Sequence, residues 1–210
     1  MTTTPRTGGD ILALAPVMPV VVLHDAEAAV PLARALVAGG LPGIEVTLRT
    51  PAALGAIERI AAEVPEAVVG AGTVTTPEQA EAAAKAGSRF LVSPGSTDTL
   101  AAAMADTGLP FLPGVSTVSE ALALLERGVS ELKFFPAEAA GGAAFLKSLA
   151  GPLPQVRFCP TGGITPVSAP DYLALPNVGC VGGSWLTPAD AVAAGDWGRI
   201  TDLARQAAAL

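Results

Sequence analysis

Short apolar runs alternate with alanine-rich stretches along nearly the whole chain. "PVMPVVVL" precedes "DAEAAVPLARALVAGG", "GIEVTLR" precedes "TPAALGAIERIAAEV", and "AVVGAGTV" precedes "TPEQAEAAAKAG". "RFLVSPG", "PFLPGV", "ELKFFPA", "VRFCPTGG" and "VGCVGGSW" each lead into a further stretch with helical spacing. The runs read as strands and the stretches between them as helices. Eight such strand–helix units, spaced by roughly two dozen residues, predict a parallel sheet covered by helices. Eight units favour a closed (β/α)8 TIM barrel over an open doubly wound sheet, with residues 1–210 as one domain. Residues 1–15 precede the repeat and are expected to form an extension, with a short helix at the barrel bottom.

The helix edges are marked. Thr76 with Gln79, and Thr117 with Glu120, have the spacing of N-terminal caps. Gly39, Gly87, Gly108 and Gly128 stand where helices should close.

Strand alternation then says which residues face the barrel axis. In "GIEVTLR", Ile44, Val46 and Leu48 should face the helices, leaving Glu45, Thr47 and Arg49 inward. In "ELKFFP", Leu132 and Phe134 should face out, leaving Lys133 and Phe135 inward. Ala71 and Thr73 share one parity in "VGAGTV", as do Arg157, Cys159 and Thr161 in "VRFCPTGG". A lysine, a carboxylate, an arginine and threonines are thus expected to meet at the C-terminal ends of the strands, where such barrels carry their active sites. A buried Lys–Glu ion pair that merely fills the interior is the bland alternative. Its weakness is cost, because buried pairs often stabilise less than apolar packing does.

The chain has three lysines, and only Lys133 lies in an apolar run. Lys85 ends a polar helical stretch and Lys147 falls on a helix surface. An apolar wall disfavours the ammonium and frees the lone pair to attack a carbonyl. A nearby carboxylate can carry the protons. "TGGI" and "GGSW" close the seventh and eighth strand segments. Two glycine pairs at adjacent strand ends point to a phosphate held by backbone N–H groups. "VGAGTV" also has a Gly-x-Gly look, but lacks the third glycine and acidic partner of a dinucleotide site.

Composition narrows the partners. The 210 residues are 50% hydrophobic with a net charge of -7. No basic run calls for nucleic acid or an anionic membrane. "ILALAPVMPVVVL" is too short to span a bilayer, and "MTTTPRTGGD" lacks the features of a signal peptide. Two cysteines, Cys159 and Cys180, are no disulfide framework, so a reduced, cytoplasmic protein is expected. One histidine and two cysteines offer little for zinc, and no paired carboxylate motif calls for magnesium.

Taken in order, "EVTLRTPAAL", "VGAGTV", "FLVSPG", "FLPGVSTVSEAL", "LKFFPAE" and "PTGGI" with "GGSWL" resemble the 2-keto-3-deoxy-6-phosphogluconate (KDPG) aldolase / 4-hydroxy-2-oxoglutarate aldolase family, from about Pro16 to Trp185. The resemblance implies a Schiff-base (class I) aldolase of the Entner–Doudoroff pathway, a homotrimer that needs no metal or other cofactor. Its substrate is then a phosphorylated 2-keto-3-deoxy sugar acid, cleaved to pyruvate and glyceraldehyde 3-phosphate. Carried over, Lys133 is the Schiff-base lysine and Glu45 the acid/base. Arg49 and Thr73 match residues that hold the pyruvate carboxylate. Pro94 and Phe135 match apolar walls around the pyruvyl carbon. Thr161, Gly162, Gly163 and Ser184 match contacts to the sugar-phosphate chain, and Gly183 belongs to the same expected phosphate site.

Three alternatives stand beside this one. Cleavage of the galactonate epimer or of 4-hydroxy-2-oxoglutarate shares the lysine and glutamate; members devoted to the epimer tend toward a tail like "IPLNSP", whereas this chain has "VTLRTP". A non-catalytic sugar-phosphate-binding or scaffold protein would not need the lysine and glutamate. A metal-dependent aldolase would need ligands that are scarce here.

Overall fold

The structure is a computed structural model that describes residues 5–210. In chain order its elements are α1 (Gly8–Leu12), β1 (Val17–Val21), a 3-10 turn (Ala26–Ala28), α2 (Ala29–Ala38), β2 (Gly43–Thr47), α3 (Ala53–Glu63) and β3 (Val68–Gly72). These are followed by α4 (Pro77–Lys85), β4 (Leu91–Val92), α5 (Asp98–Asp106), β5 (Phe111–Leu112), β6 (Gly114–Val115), α6 (Val118–Leu125) and β7 (Glu131–Phe134). The chain ends with α7 (Gly142–Leu149), β8 (Arg157–Pro160), α8 (Ala169–Leu173), β9 (Val181–Gly183), α9 (Ala189–Ala194) and α10 (Trp197–Ala208). Each apolar run singled out in the sequence carries strand, and all strand pairings are parallel.

The strands form two sheets instead of the expected continuous eight-stranded one. One has six strands in the order β5-β4-β3-β2-β1-β9, and the other has three in the order β6-β7-β8. The break after β5 falls on Pro113, which has no N–H to give to a ladder. Next to it, Gly114 donates its N–H to the hydroxyl of Ser93 (3.1 Å), a side chain, in place of a backbone carbonyl. Gly114 must be glycine there, since a Cβ would lie 2.3 Å from the Pro94 backbone. Between β8 and β9 the contact is reduced to two isolated bridges, Phe158 with Val178 and Thr161 with Gly182.

Two buried clusters lie on opposite faces of the strands. The larger holds Ile44, Val46, Val69, Ala71, Leu132, Phe134 and Phe158 together with the inner faces of the helices. The smaller gathers Met18, Val68, Phe90, Val92, Leu112, Cys159 and Cys180, with Ile11 and Leu12 of α1. It draws on both sheets, and Ile11 and Leu12 of α1 pack into it. A short helix thus lies within the extension, and residues 1–4 lie outside the described residues.

The cap signals mostly hold. Thr117 and Glu120 form a capping box, and the Thr76 hydroxyl accepts from Gln79 N–H at 3.3 Å. Gly87, Gly108 and Gly128 adopt positive φ as expected, but after α2 the positive φ falls on Gly40. Gly39 is needed for another reason: α10 packs so closely that a Cβ at Gly39 would sit 2.3 Å from Ala204 Cβ.

Candidate active site

β7 carries Lys133 and β2 carries Glu45, from different sheets. Alternation puts both on the enclosed face, while Leu132, Phe134, Ile44 and Val46 go to the helix layer. Lys133 Nζ lies 3.0 Å from Glu45 Oε1, with the residues only 3% and 2% exposed. A buried ion pair leaves each charge with a partner, yet it pays a desolvation cost that apolar side chains would avoid.

Glycine makes the room. Gly72 of β3 lies beside β2, and a Cβ on it would be 2.1 Å from Glu45 Oε1. Gly70 gives way in the same manner to the Phe90 ring, at 2.5 Å. The Gly-x-Gly of "VGAGTV" thus serves close approach, toward a carboxylate and a ring. Alternation could have suggested this, because Val69 and Ala71 take the helix-facing positions.

Thr73 corrects the parity expectation. Ala71, its parity partner, packs in the helix layer. Thr73 reaches the strand ends because its φ is 57°, the left-handed region that non-glycine residues seldom enter. There its hydroxyl accepts from Arg49 Nε at 3.2 Å. Arg49 follows β2 in a tight turn, its N–H donating to Thr47 O at 2.8 Å. Thr47 is fully buried and donates to Val21 O at 2.9 Å, so it braces β1 and β2.

Above the ion pair is a cavity of about 180 Å³ lined by Arg49, Phe135, Thr161, Gly162, Gly163 and Ser184, all of them expected site residues. Lys133 Nζ is 5.6 Å from the centre of the Phe135 ring, which also lines this cavity. Gly162 and Gly163 have φ of 103° and 81°, which only glycine adopts readily. Three expected substrate-binding residues are not in this lining: Pro94, Gly183, and Thr73, which reaches it only through Arg49. Pro94 lies two residues past β4 with its backbone against Gly114, outside the cavity lining. Gly183 turns toward the Trp185 ring and Val17 on the helix side; the inward position belongs to Gly182, whose missing Cβ admits the Thr161 side chain. Gly182 and Val20 line the cavity and went unnoticed in the sequence. Counting by twos from Cys180 and Met18 would have found both.

Beneath the site, Cys159 is the register partner of Lys133. Its Sγ lies 3.9 Å from Thr161 Oγ1. A hydrogen bond between the two buried thiols pushes Cys180 up and draws Cys159 down, with burial adding to the first shift and opposing the second. Among the described residues, no group of three or more His, Cys, Asp or Glu side chains is placed to hold a metal ion.

This arrangement supplies an amine, a carboxylate within proton-transfer distance, a planar cation at one end and a backbone-lined turn at the other. The chain is similar to known aldolases. A sequence model described as "Aldolase: KDPG and KHG aldolase" matches residues 9–203. The chain is 56% identical to the KHG/KDPG aldolase of Escherichia coli K12 over 94% of this chain and 92% of that one. It is 54% identical to the 2-dehydro-3-deoxy-phosphogluconate aldolase of Dickeya dadantii, covering 95% of this chain and 93% of that one. The crystal structure of KDPG aldolase from Legionella pneumophila, with pyruvate captured at low pH as a covalent carbinolamine intermediate, superposes with a TM-score of 0.94. It is 47% identical and covers 96% of this chain and 98% of its own.

Proposed function

The chain belongs to the KDPG and KHG aldolase family, and from that premise we propose that it cleaves 2-keto-3-deoxy-6-phosphogluconate to pyruvate and glyceraldehyde 3-phosphate through an imine on Lys133. The observation that carries this reading is the buried contact of Lys133 Nζ with Glu45 Oε1 at 3.0 Å. Glu45 is close enough to take a proton from the ammonium, which frees the amine to attack C2 of the substrate. The resulting carbinolamine takes that proton back from Glu45 onto its hydroxyl and loses water, which leaves a protonated imine and an ionised Glu45. Glu45, directly or through water, then removes the C4 hydroxyl proton. The C3–C4 bond breaks, its electron pair flows to the imine nitrogen as a neutral enamine, and the aldehyde leaves. The protonated Glu45 returns its proton to C3, and hydrolysis of the imine releases pyruvate.

Arg49, oriented through Nε by Thr73, is suited to the planar carboxylate of the pyruvyl unit. Phe135 walls the pyruvyl carbon. The phosphate fits at the turn of Gly162 and Gly163 and at Ser184, where backbone N–H groups and hydroxyls provide donors. Binding energy gathered there orients the reacting carbon. The relative from E. coli bears both names, KHG and KDPG aldolase, and this supports 4-hydroxy-2-oxoglutarate as a second substrate.

We further infer a single domain in which the two sheets are halves of one eight-stave barrel, with β5 and β6 as one stave interrupted by Pro113. The two bridges from β8 toward β9, and the Lys133 N–H donated to Pro113 O at 3.0 Å, support closure. Homotrimeric assembly rests on the family resemblance, and light scattering that gives the mass of one 20.8 kDa chain would overturn it. A cytoplasmic setting is supported by two buried free thiols; among the described residues no helix is long and apolar enough to cross a membrane.

The test is incubation with pyruvate and borohydride followed by peptide mass mapping. The reduced adduct is expected on Lys133 and not on Lys85 or Lys147. Three unmodified lysines in the folded protein would return the pair to a purely structural role.

A further inference from the structure

Lys133 and the Gly162–Gly163 turn lie on neighbouring strands, and the link between them is built from the residues just after β7. Ala137 N–H donates to Thr161 O at 2.8 Å, and Glu138 N–H donates to Gly162 O at 3.1 Å. The Glu138 side chain lies flat on the turn: a Cβ on Gly163 would be 2.7 Å from Glu138 Cγ and 2.8 Å from its Cβ. Phe135 and Pro136 approach Gly162 in the same way, at 3.2 and 3.3 Å. The Glu138 carboxylate is anchored in turn. Tyr172 on α8, 1% exposed, donates its hydroxyl to Glu138 Oε1 at 2.8 Å. Burial first, and then the carboxylate, push the Tyr172 phenol well above the ordinary tyrosine range, so it stays a donor at neutral pH.

Two consequences follow for an anion in the cavity. The glycines are free to adopt many turn geometries, and the backbone bonds and methylenes of Glu138 select one. A carboxylate beside a phosphate is also repulsive, and Glu138 is absent from the cavity lining because Tyr172 holds it on the α8 side.

We propose that Glu138 and Tyr172 are positioning residues that fix the Gly162–Gly163 turn relative to Lys133 and so set the affinity for the phosphate end of the substrate. This rests on the phosphate reading given above. The imine chemistry does not pass through either residue, so their effect is on KM for phosphorylated substrate and little on kcat.

The experiment compares KDPG with its dephosphorylated form, 2-keto-3-deoxygluconate, in the wild type, Tyr172→Phe, Glu138→Gln and the double variant. Inorganic phosphate serves as a competing ligand, and thermal melting checks folding. Loss of a hydrogen bond to a charged group predicts a rise of about tenfold in KM for KDPG in Tyr172→Phe, with a parallel weakening of phosphate inhibition. KM for the dephosphorylated substrate should stay within about twofold, since it has no group at the turn. Glu138→Gln keeps the methylenes and an acceptor for Tyr172 and should stay near wild type. The double variant should recover part of the loss, because no charge is released toward the phosphate. Equal losses on both substrates, or unchanged KM for KDPG in Tyr172→Phe, would overturn the positioning role while leaving the phosphate site intact. A wild type that does not distinguish the two substrates and is not inhibited by phosphate would overturn the phosphate reading and the positioning role together.

Discussion

Lys133 Nζ and Glu45 Oε1 meet at 3.0 Å across 88 residues of sequence, one from each sheet, both nearly sealed from solvent. The contact gives the lysine a proton acceptor and gives the carboxylate a fixed place above the enclosed core. An ion pair that served stability alone would predict no reaction with pyruvate.

Lys133→Ala should abolish cleavage, and neither added zinc nor added magnesium should restore it. It also leaves Glu45 as a buried carboxylate without its cation, and breaking such a pair typically costs about 3–5 kcal/mol. Melting temperature and turnover should therefore both fall. Activity that survives in a folded Lys133→Ala protein would end the imine mechanism.

Glu45→Gln separates imine formation from proton transfer. Pyruvate should still form an adduct with Lys133, more slowly, while exchange of the pyruvate methyl protons with deuterated water collapses. General acid–base groups contribute about 10²–10⁴-fold, and cleavage should drop within that range. Methyl exchange at the wild-type rate would assign the proton transfer to another group.

Gly72→Ala tests the space behind Glu45. The new Cβ would lie 2.1 Å from Oε1, so the carboxylate must move. We expect folded protein with cleavage reduced by at least about tenfold, since misplacing a catalytic group by about an ångström can cost 10²-fold. Wild-type turnover in this variant would mean that the Glu45 position is not critical.

Arg49→Lys removes the planar fork and the Nε bond to Thr73. Hydrogen bonds to charged groups are worth about 1.5–3 kcal/mol, which predicts a rise in KM of about ten- to hundredfold for pyruvate in the methyl-exchange reaction. An unchanged KM would remove Arg49 from the carboxylate site.

Tyr172 is the only tyrosine, so the tyrosinate absorbance of the whole protein reports on it. Its phenol is held above the ordinary range by burial and then by Glu138. The folded state thus favours the protonated form. The associated stability is complete below the unfolded value of about 10 and is lost as pH rises from there toward the folded value. The absorbance change should appear only with alkaline unfolding, and Tyr172→Phe should flatten the alkaline decline in stability. A reversible titration near pH 10 in folded protein would contradict the buried hydrogen bond.

Much of this was legible locally. A period of two along "GIEVTLR" and "ELKFFP" put Glu45 and Lys133 on the enclosed face, because strand geometry forces alternation whatever the partner. Thr117 with Glu120 marked a helix start because capping is settled within one turn. The lysine could be chosen out of three because only one stood in an apolar run.

Alternation fixes a face and leaves distance, partner and backbone excursions open. It could not give the 3.0 Å contact, which depends on how the two sheets come together. It gave Ala71 and Thr73 one parity and no account of how a positive φ turns Thr73, unlike Ala71, onto Arg49. It did not show that Gly182 leaves room for the Thr161 side chain, or that Gly72 admits a carboxylate from the next strand. The split of the sheet at Pro113, and the bond of Tyr172 to Glu138 34 residues away, likewise arise only in the assembled fold. The sequence determined which groups are present and which way each strand turns them; the tertiary structure decided which of them touch, because contact across a core depends on the packing of every element around it.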